Sequence, residues 1–346
     1  VAGPLSGFQA NTGQTVAGGV RLMAEQLNRA GGLLGYKVKV VALDDEADSD
    51  VAVSVAEQIK EAIGRGEKVV GVIGHPNSGQ TAAAMGVYKD LDLVVITPTA
   101  SEVALTQQGY RNFFRVNAAN DLQAQTGADY LVNKLSAKRV AVLYNDDAYG
   151  IDLGKLVAEN LRGLGAEVPV SLQVKVEQNR YGDEVSKIKQ ANVDAIYYAG
   201  YEVECPYLRA DLRDTGLADL TFMASDGCFL AATIDNADGA AEGIYVTGFA
   251  PSPKTSVDQQ WVSAYQAVEF RNPDTYSVNG YSAMQVLAEG VKKAGALTGS
   301  KVRDAIRNLD IKTPLGQVQF QDNGDLRKAQ IYVFQVKDGQ FTQVAP

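Results

Sequence analysis

The chain has 346 residues, with 32 Lys and Arg against 41 Asp and Glu and a formal charge of −9. That length suits two or three domains, and that charge opposes nucleic acid or an anionic membrane surface as a partner. One histidine, His75, and two cysteines, Cys205 and Cys228, leave little for metal ligation or for acid–base work near neutrality, which favours binding over catalysis.

Up to about residue 250 a short apolar run, a loop with Gly or Asp and an amphipathic stretch alternate. VAGPL is read as the first strand. Val16, Val20, Met23 and Leu27, at i, i+4, i+7 and i+11, predict a helix ended by Gly31-Gly32. The run KVKVVAL (37–43) predicts a strand. Val51, Val55, Ile59 and Ala62 predict a second helix, preceded by capping residues at 48–50 and ended by Gly64-Arg65-Gly66. Further strands are predicted at VVGVIG (69–74), LVVIT (93–97), FFRV (113–116), RVAVLY (139–144), DAIYYAG (194–200), TFMAS (221–225) and GIYVTG (243–248). Rich in Val, Ile and Tyr without strict alternation, these runs suit parallel strands covered on both faces. Five strands before about residue 117 and four or five between 139 and 248 each suffice for one open doubly wound sheet. After residue 248 the pattern predicts helices at about 256–269, 276–294 and 300–308, then GQVQFQ, an Asp-Asn-Gly-Asp turn and QIYVFQV. With no long Pro- or Ser-rich linker, the expectation is two lobes joined by short hinge crossovers, with a cleft between them.

No apolar run approaches the ~20 residues of a membrane span. The first residues lack the charged start and apolar core of an export signal, so a soluble chain whose signal has been removed is expected.

In open α/β sheets ligands sit beyond the carboxyl ends of the strands. In the first half those places hold PLSG (4–7), HPNSGQT (75–81) and TPTAS (97–101), which offer hydroxyls and helix N-termini. In the second half they hold NDDAYG (145–150), YEVE (201–204) and DGCF (226–229), which offer tyrosines and carboxylates. The division suits a zwitterion, its carboxylate at helix starts and its ammonium on acidic oxygens.

The segment GHPNSGQT falls one residue short of a nucleotide phosphate loop, and Gln80 stands where the phosphate-binding lysine is needed. DDEADSD (44–50) lacks the central Gly and distal Glu of a calcium loop and leads into a capped helix, so it is read as a solvated cap. His75, without a second His or Cys near it, is read as a structural hydrogen-bonding residue. No metal, cofactor or catalytic residue is expected. Cys205 and Cys228 follow adjacent strands at a spacing of about 5 Å, compatible with a disulfide or with two buried thiols.

Taken in order, PLSG, GGLLGYKVKVVALDDEADSD, GVIGHPNSGQT, ITPTASE, FFRV, LYNDDAYG, YYAGYEVE, ASDG and TPLGQVQFQDNGDL with YVFQVKDGQF resemble the type I solute-binding proteins of the branched-chain amino acid (leucine/isoleucine/valine-binding) family of ABC importers. The resemblance covers nearly the whole chain. It implies an α/β fold of two doubly wound parallel-sheet lobes with a three-crossover hinge, lobe 1 being 1–117 plus 250–325 and lobe 2 being 118–249 plus 326–346. It also implies a monomeric, non-enzymatic protein of the periplasm, or of the cell exterior with a lipid anchor, whose partners are a free amino acid and a membrane permease.

Carried over by position, the ligand carboxylate falls on Ser78, Ala100 and Ser101 with the Thr99 backbone close by. The ammonium falls on the Ala100 carbonyl, Tyr201 and Asp226. The side-chain wall falls on Thr12, Asn77, Tyr149 and Tyr276, with Gln80 and Phe229 as neighbours. Asp226 replaces the longer Glu of the leucine-binding pattern, and Asn77 and Thr12 are polar where branched-chain binders are more apolar. These loops hold no Lys or Arg, while Asp146, Asp147, Glu202 and Glu204 are nearby, which ranks a neutral or polar amino acid first, a basic one next and an acidic one last. Glu204 is read as a helix-opening structural residue. The alternative reading is the same fold around another small carboxylate or amide, such as urea or an aromatic acid.

Overall fold

Short runs of branched and aromatic residues become central strands because helices cover them on both sides. The computed structural model describes residues 1–346 apart from the side chains of residues 253 and 254. It divides into unit 1, Val1–Ala118 with Pro253–Ala329, and unit 2, Ala119–Ser252 with Gln330–Pro346, so the chain passes between units three times.

In unit 1, Ala2–Gly3 (β1) pairs in parallel with Leu43–Asp44 (β2), and Gly71–Ile73 (β3), Val94–Thr97 (β4) and Phe113–Arg115 (β5) form a parallel set in that order. A Cβ on Gly74 would lie 2.1 Å from the Ala2 carbonyl oxygen, so β1 runs beside the end of β3. Strand order therefore reverses between β1 and β3, where such sheets bind ligands. Val72, Val95 and Phe113 pack with Ser49–Gly64 (α2) and Ser78–Tyr88 (α3), while Ile73, Val94, Ile96 and Phe114 pack with Ala10–Arg29 (α1), Thr275–Ala294 (α11) and Gly299–Arg307 (α12). The hairpin Ile311–Thr313 (β11) and Gly316–Val318 (β12) completes the unit.

The run 37–43 is not the strand its composition predicts. β1 is two residues long, so only Leu43 of that run finds a ladder partner there. Upstream, the Asn28 side chain takes the place of a strand: the Val38 N–H donates to Asn28 Oδ1 (2.7 Å) and Asn28 Nδ2 donates to the Val38 carbonyl (2.9 Å).

In unit 2 the sheet contains Arg139–Asn145 (β6), Glu167–Val174 (β7), Ala195–Ala199 (β8), Thr221–Ala224 (β9), Tyr245–Gly248 (β10), Tyr332–Lys337 (β13) and Gln340–Ala345 (β14). Their spatial order is β14-β13-β10-β9-β8-β6-β7, parallel from β10 to β7 and antiparallel at β13 and β14. The reversal falls between β6 and β8. One face packs with Gly182–Ala191 (α6) and Cys205–Asp214 (α7), the other with Asn120–Asp129 (α4) and Ala148–Gly163 (α5). β7 was not predicted as an apolar run because, as an edge strand, it alternates exposed and covered residues and carries Pro169.

Ala231–Asp235 (α8) precedes β10. The helix predicted at 256–269 is two, Pro253–Ser256 (α9) and Gln259–Glu269 (α10), because Asp258 caps α10 by accepting from the Trp261 N–H at 2.8 Å. Among the described residues no helix is long and apolar enough to cross a membrane.

Candidate functional site

At the carboxyl ends of the unit 1 strands, His75 lies beneath the loop that follows β3. Its Nδ1 is 2.5 Å from Asp45 Oδ2 and its Nε2 is 3.3 Å from the Tyr88 hydroxyl, with His75, Asp45 and Tyr88 wholly buried. Asp45 is thus a buried partner of His75 and not part of a solvated cap, while Asp48 caps α2 through the Asp50 and Val51 N–H groups. Above them, the His75 carbonyl accepts from the Thr81 (2.9 Å) and Thr97 (2.7 Å) hydroxyls, and Thr99 Oγ1 donates to the Pro76 carbonyl (2.8 Å). These bonds tie the loops after β3 and β4 together.

The same bonds set Ser78 and Ser101 side by side. Ser78 Oγ accepts from the N–H groups of Ser101 (3.2 Å) and Glu102 (3.1 Å), which leaves its own proton to donate. Ser101 Oγ, buried, has no hydrogen-bond partner among the described residues. Asn77 begins α3 without capping it, and its Nδ2 donates to Gln9 Oε1. Thr12 on α1 and Tyr276 on α11 are buried in this unit as well. Gln80 donates to the Ala47 carbonyl at 2.5 Å, a bond that fixes a loop.

The Ala100 carbonyl, expected to accept an ammonium, already receives Asn117 Nδ2 at 3.3 Å and Arg115 Nη1 at 3.5 Å. Arg115 is also the cation that reading the loops overlooked. It is wholly buried and pairs with Asp325 at 2.5 Å. The partner lies 210 residues away in sequence, beyond what local spacing reveals.

In unit 2, Asp226 follows β9 and is 4% exposed. Its Oδ1 accepts from the Tyr149 hydroxyl (2.6 Å) and from Gln123 Nε2 (2.8 Å), and Gln123 Nε2 also donates to Thr247 Oγ1 (2.8 Å). Tyr149, expected as a wall, thus holds the acid itself. Its ring lies 5.4 Å from that of Tyr201, whose hydroxyl donates to Asp147 Oδ2. Asp147 also caps α5 through the Gly150 N–H (2.8 Å), and burial raises its pKa. Gln123 and Thr247, which the sequence reading did not single out, join Asp226 and Tyr149 in this network, and Asp147, counted there only as a nearby acid, pairs with Tyr201. The available signal was a glutamine inside the small, buried face of α4.

Glu204 precedes α7 but does not cap it. Its Oε1 accepts from the Glu177 N–H at 2.7 Å, and its Oε2 is 3.3 Å from the Tyr198 hydroxyl, which lies 2.8 Å from Asn145 Oδ1. Burial raises its pKa to about 7. Cys205 and Cys228 are free thiols, both wholly buried, with no bridge between them, and Cys228 Sγ donates to the Gly200 carbonyl at 3.6 Å. Desolvation holds the Cys228 thiol well above its usual pKa, where it behaves as a small apolar group. Phe229 is a core residue with its ring centroid 4.1 Å from that of Phe334. Among the described residues no group of three or more His, Cys, Asp or Glu could hold a metal ion.

Two open α/β units share one chain that passes between them three times, and each sets polar groups beside its own strand reversal. These features define the class of two-unit ligand-binding proteins. The chain belongs to the periplasmic binding protein family, whose profile matches residues 1–340. It is 30% identical over 348 residues to the leucine-, isoleucine-, valine-, threonine- and alanine-binding protein of Pseudomonas aeruginosa, covering 99% of this chain and 91% of that one. The fold matches a leucine-binding protein of Thermotoga maritima with a TM-score of 0.90 at 24% identity, covering 99% and 96% of the two chains. It matches a solute-binding protein of R. palustris in complex with benzoate with a TM-score of 0.88 at 20% identity, covering 99% and 94%. These relatives are binding proteins, not enzymes.

Proposed function

We propose that this protein is the extracytoplasmic substrate-binding component of an ABC importer. Its two units close on a free amino acid, neutral or polar in its side chain, and present it to a membrane permease. The observation that carries this reading is the division of chemistry: hydroxyl donors at the helix start in unit 1, a buried and oriented carboxylate in unit 2.

The Ser78 and Ser101 hydroxyls, with the Thr99 backbone close by, receive the ligand carboxylate, favoured by the positive end of α3. Asp226 receives the ammonium with Tyr201 beside it. Tyr149 and Gln123 donate to Asp226 and orient it. Thr12, Asn77 and Tyr276 meet the side chain. Contacts that form only when both units touch the ligand shift the population towards the closed state.

Calorimetric titration of protein stripped of ligand with the twenty amino acids tests this. Saturable binding of at least one neutral amino acid is expected, and flat heats for all twenty overturn the reading. A second reading, a simple aromatic acid as ligand, is favoured by the benzoate-bound structure of the same fold. Benzoate in the same titration series separates the two.

A further inference from the structure

The side chains of Gln9 and Asn77 are 1% and 6% exposed by residue, and a single hydrogen bond joins them, from Asn77 Nδ2 to Gln9 Oε1. Two primary amides joined by one bond retain an acceptor on one partner and a donor group on the other. Here these are Asn77 Oδ1 and Gln9 Nε2, both buried and without a partner among the described residues. Exchanging the oxygen and nitrogen of both amides reverses which residue offers which, but one donor and one acceptor still remain.

The two residues occupy equivalent places. Gln9 begins α1 and Asn77 begins α3, and neither side chain caps its own helix. Gln9 stands three residues before Thr12, and Asn77 directly precedes Ser78. The pair therefore stands one residue along the chain from Ser78, whose hydroxyl, with that of Ser101, is assigned to the ligand carboxylate. Buried amide groups left unmatched oppose binding of an apolar side chain, because desolvating them is compensated only by a partner.

We propose that Gln9 and Asn77 select the ligand's side chain, and that this side chain carries both a donor and an acceptor, as a carboxamide or a hydroxyl does. This rests on the amino-acid reading above and narrows it. An aliphatic ligand leaves both amide groups unpaired, and a site built to hydrogen-bond rejects an analogue lacking the group far more strongly than an apolar pocket rejects an added hydroxyl.

The test is calorimetric titration of stripped protein with near-isosteric pairs: threonine and valine, asparagine and leucine, glutamine and methionine. Wild type is expected to bind the polar member of at least one pair about tenfold or more tightly than its aliphatic counterpart. The double variant Gln9→Met/Asn77→Leu, with folding checked by thermal melting, is expected to abolish or reverse that ratio. Equal or tighter aliphatic binding by wild type overturns the inference and leaves the amino-acid reading standing, and an unchanged ratio in the variant does the same. If the double variant fails to fold, the wild-type ratios and the single variant Asn77→Leu decide. Absence of binding by any amino acid removes both.

Discussion

Asp226 shows how neutral neighbours prepare a charged group. A carboxyl group held by a phenol at 2.6 Å and an amide at 2.8 Å loses its freedom to turn. Replacing it by alanine leaves the ligand ammonium buried without its counter-charge, and calorimetry should record a loss of about 2 to 5 kcal/mol. Unchanged affinity in Asp226→Ala contradicts the assignment. Glu204 gives a second residue-scale prediction, for stability. Its folded pKa of about 7 lies above the unfolded value near 4.5. The folded state therefore holds a proton that the unfolded state has released, and stability present below pH 4.5 is lost as pH rises through 7. That loss is about 3 kcal/mol for unit 2 between pH 4.5 and 8. Glu204→Gln should remove most of this dependence in urea titrations at pH 5 and pH 8, and a variant with the wild-type slope refutes it.

Elements were legible where burial on both faces imposed continuous apolar runs. β4, β8, β9 and β10 fall within their predicted stretches for that reason, and β6 exceeds its stretch by one residue. β7 escaped because an edge strand needs only one covered face, and 37–43 misled because its ladder partner is two residues long. The contact between α1 and α11 was equally hidden, since it depends on two glycines 261 residues apart. A Cβ on Gly19 would lie 2.0 Å from the Ser277 carbonyl oxygen, and one on Gly280 would lie 2.1 Å from that of Val16. Alanine at either position gains ~1 kcal/mol in helix propensity but forces two backbones apart. Gly19→Ala and Gly280→Ala should each destabilise unit 1 by a net amount of about 1–3 kcal/mol in urea melts. Neutral or stabilising effects contradict the close packing.

For the whole molecule, scarce His and Cys argued for binding over catalysis, and the relatives that the chain matches are binding proteins. The proposed site was legible in part. Ser78, Ser101, Tyr201 and Asp226 stand in strand-end loops that position marks, and the family resemblance singles them out within those loops. Gln9, Gln123 and Arg115 were not visible, because each matters through a partner distant in sequence. The proposed closure predicts that the binding amino acid reduces the radius of gyration in small-angle scattering, while an amino acid that gives no heat leaves it unchanged. A ligand that saturates the protein without compacting it contradicts closure.

The central claim is that one unit holds the carboxylate and the other the ammonium of the same molecule. Calorimetric titration with the best-binding amino acid, its N-acetyl derivative and its α-carboxamide tests this most directly. The account predicts that each blocked form binds at least about a hundredfold more weakly, a difference of about 3 kcal/mol or more per lost charge. Either blocked form binding within a few-fold of the free amino acid contradicts it.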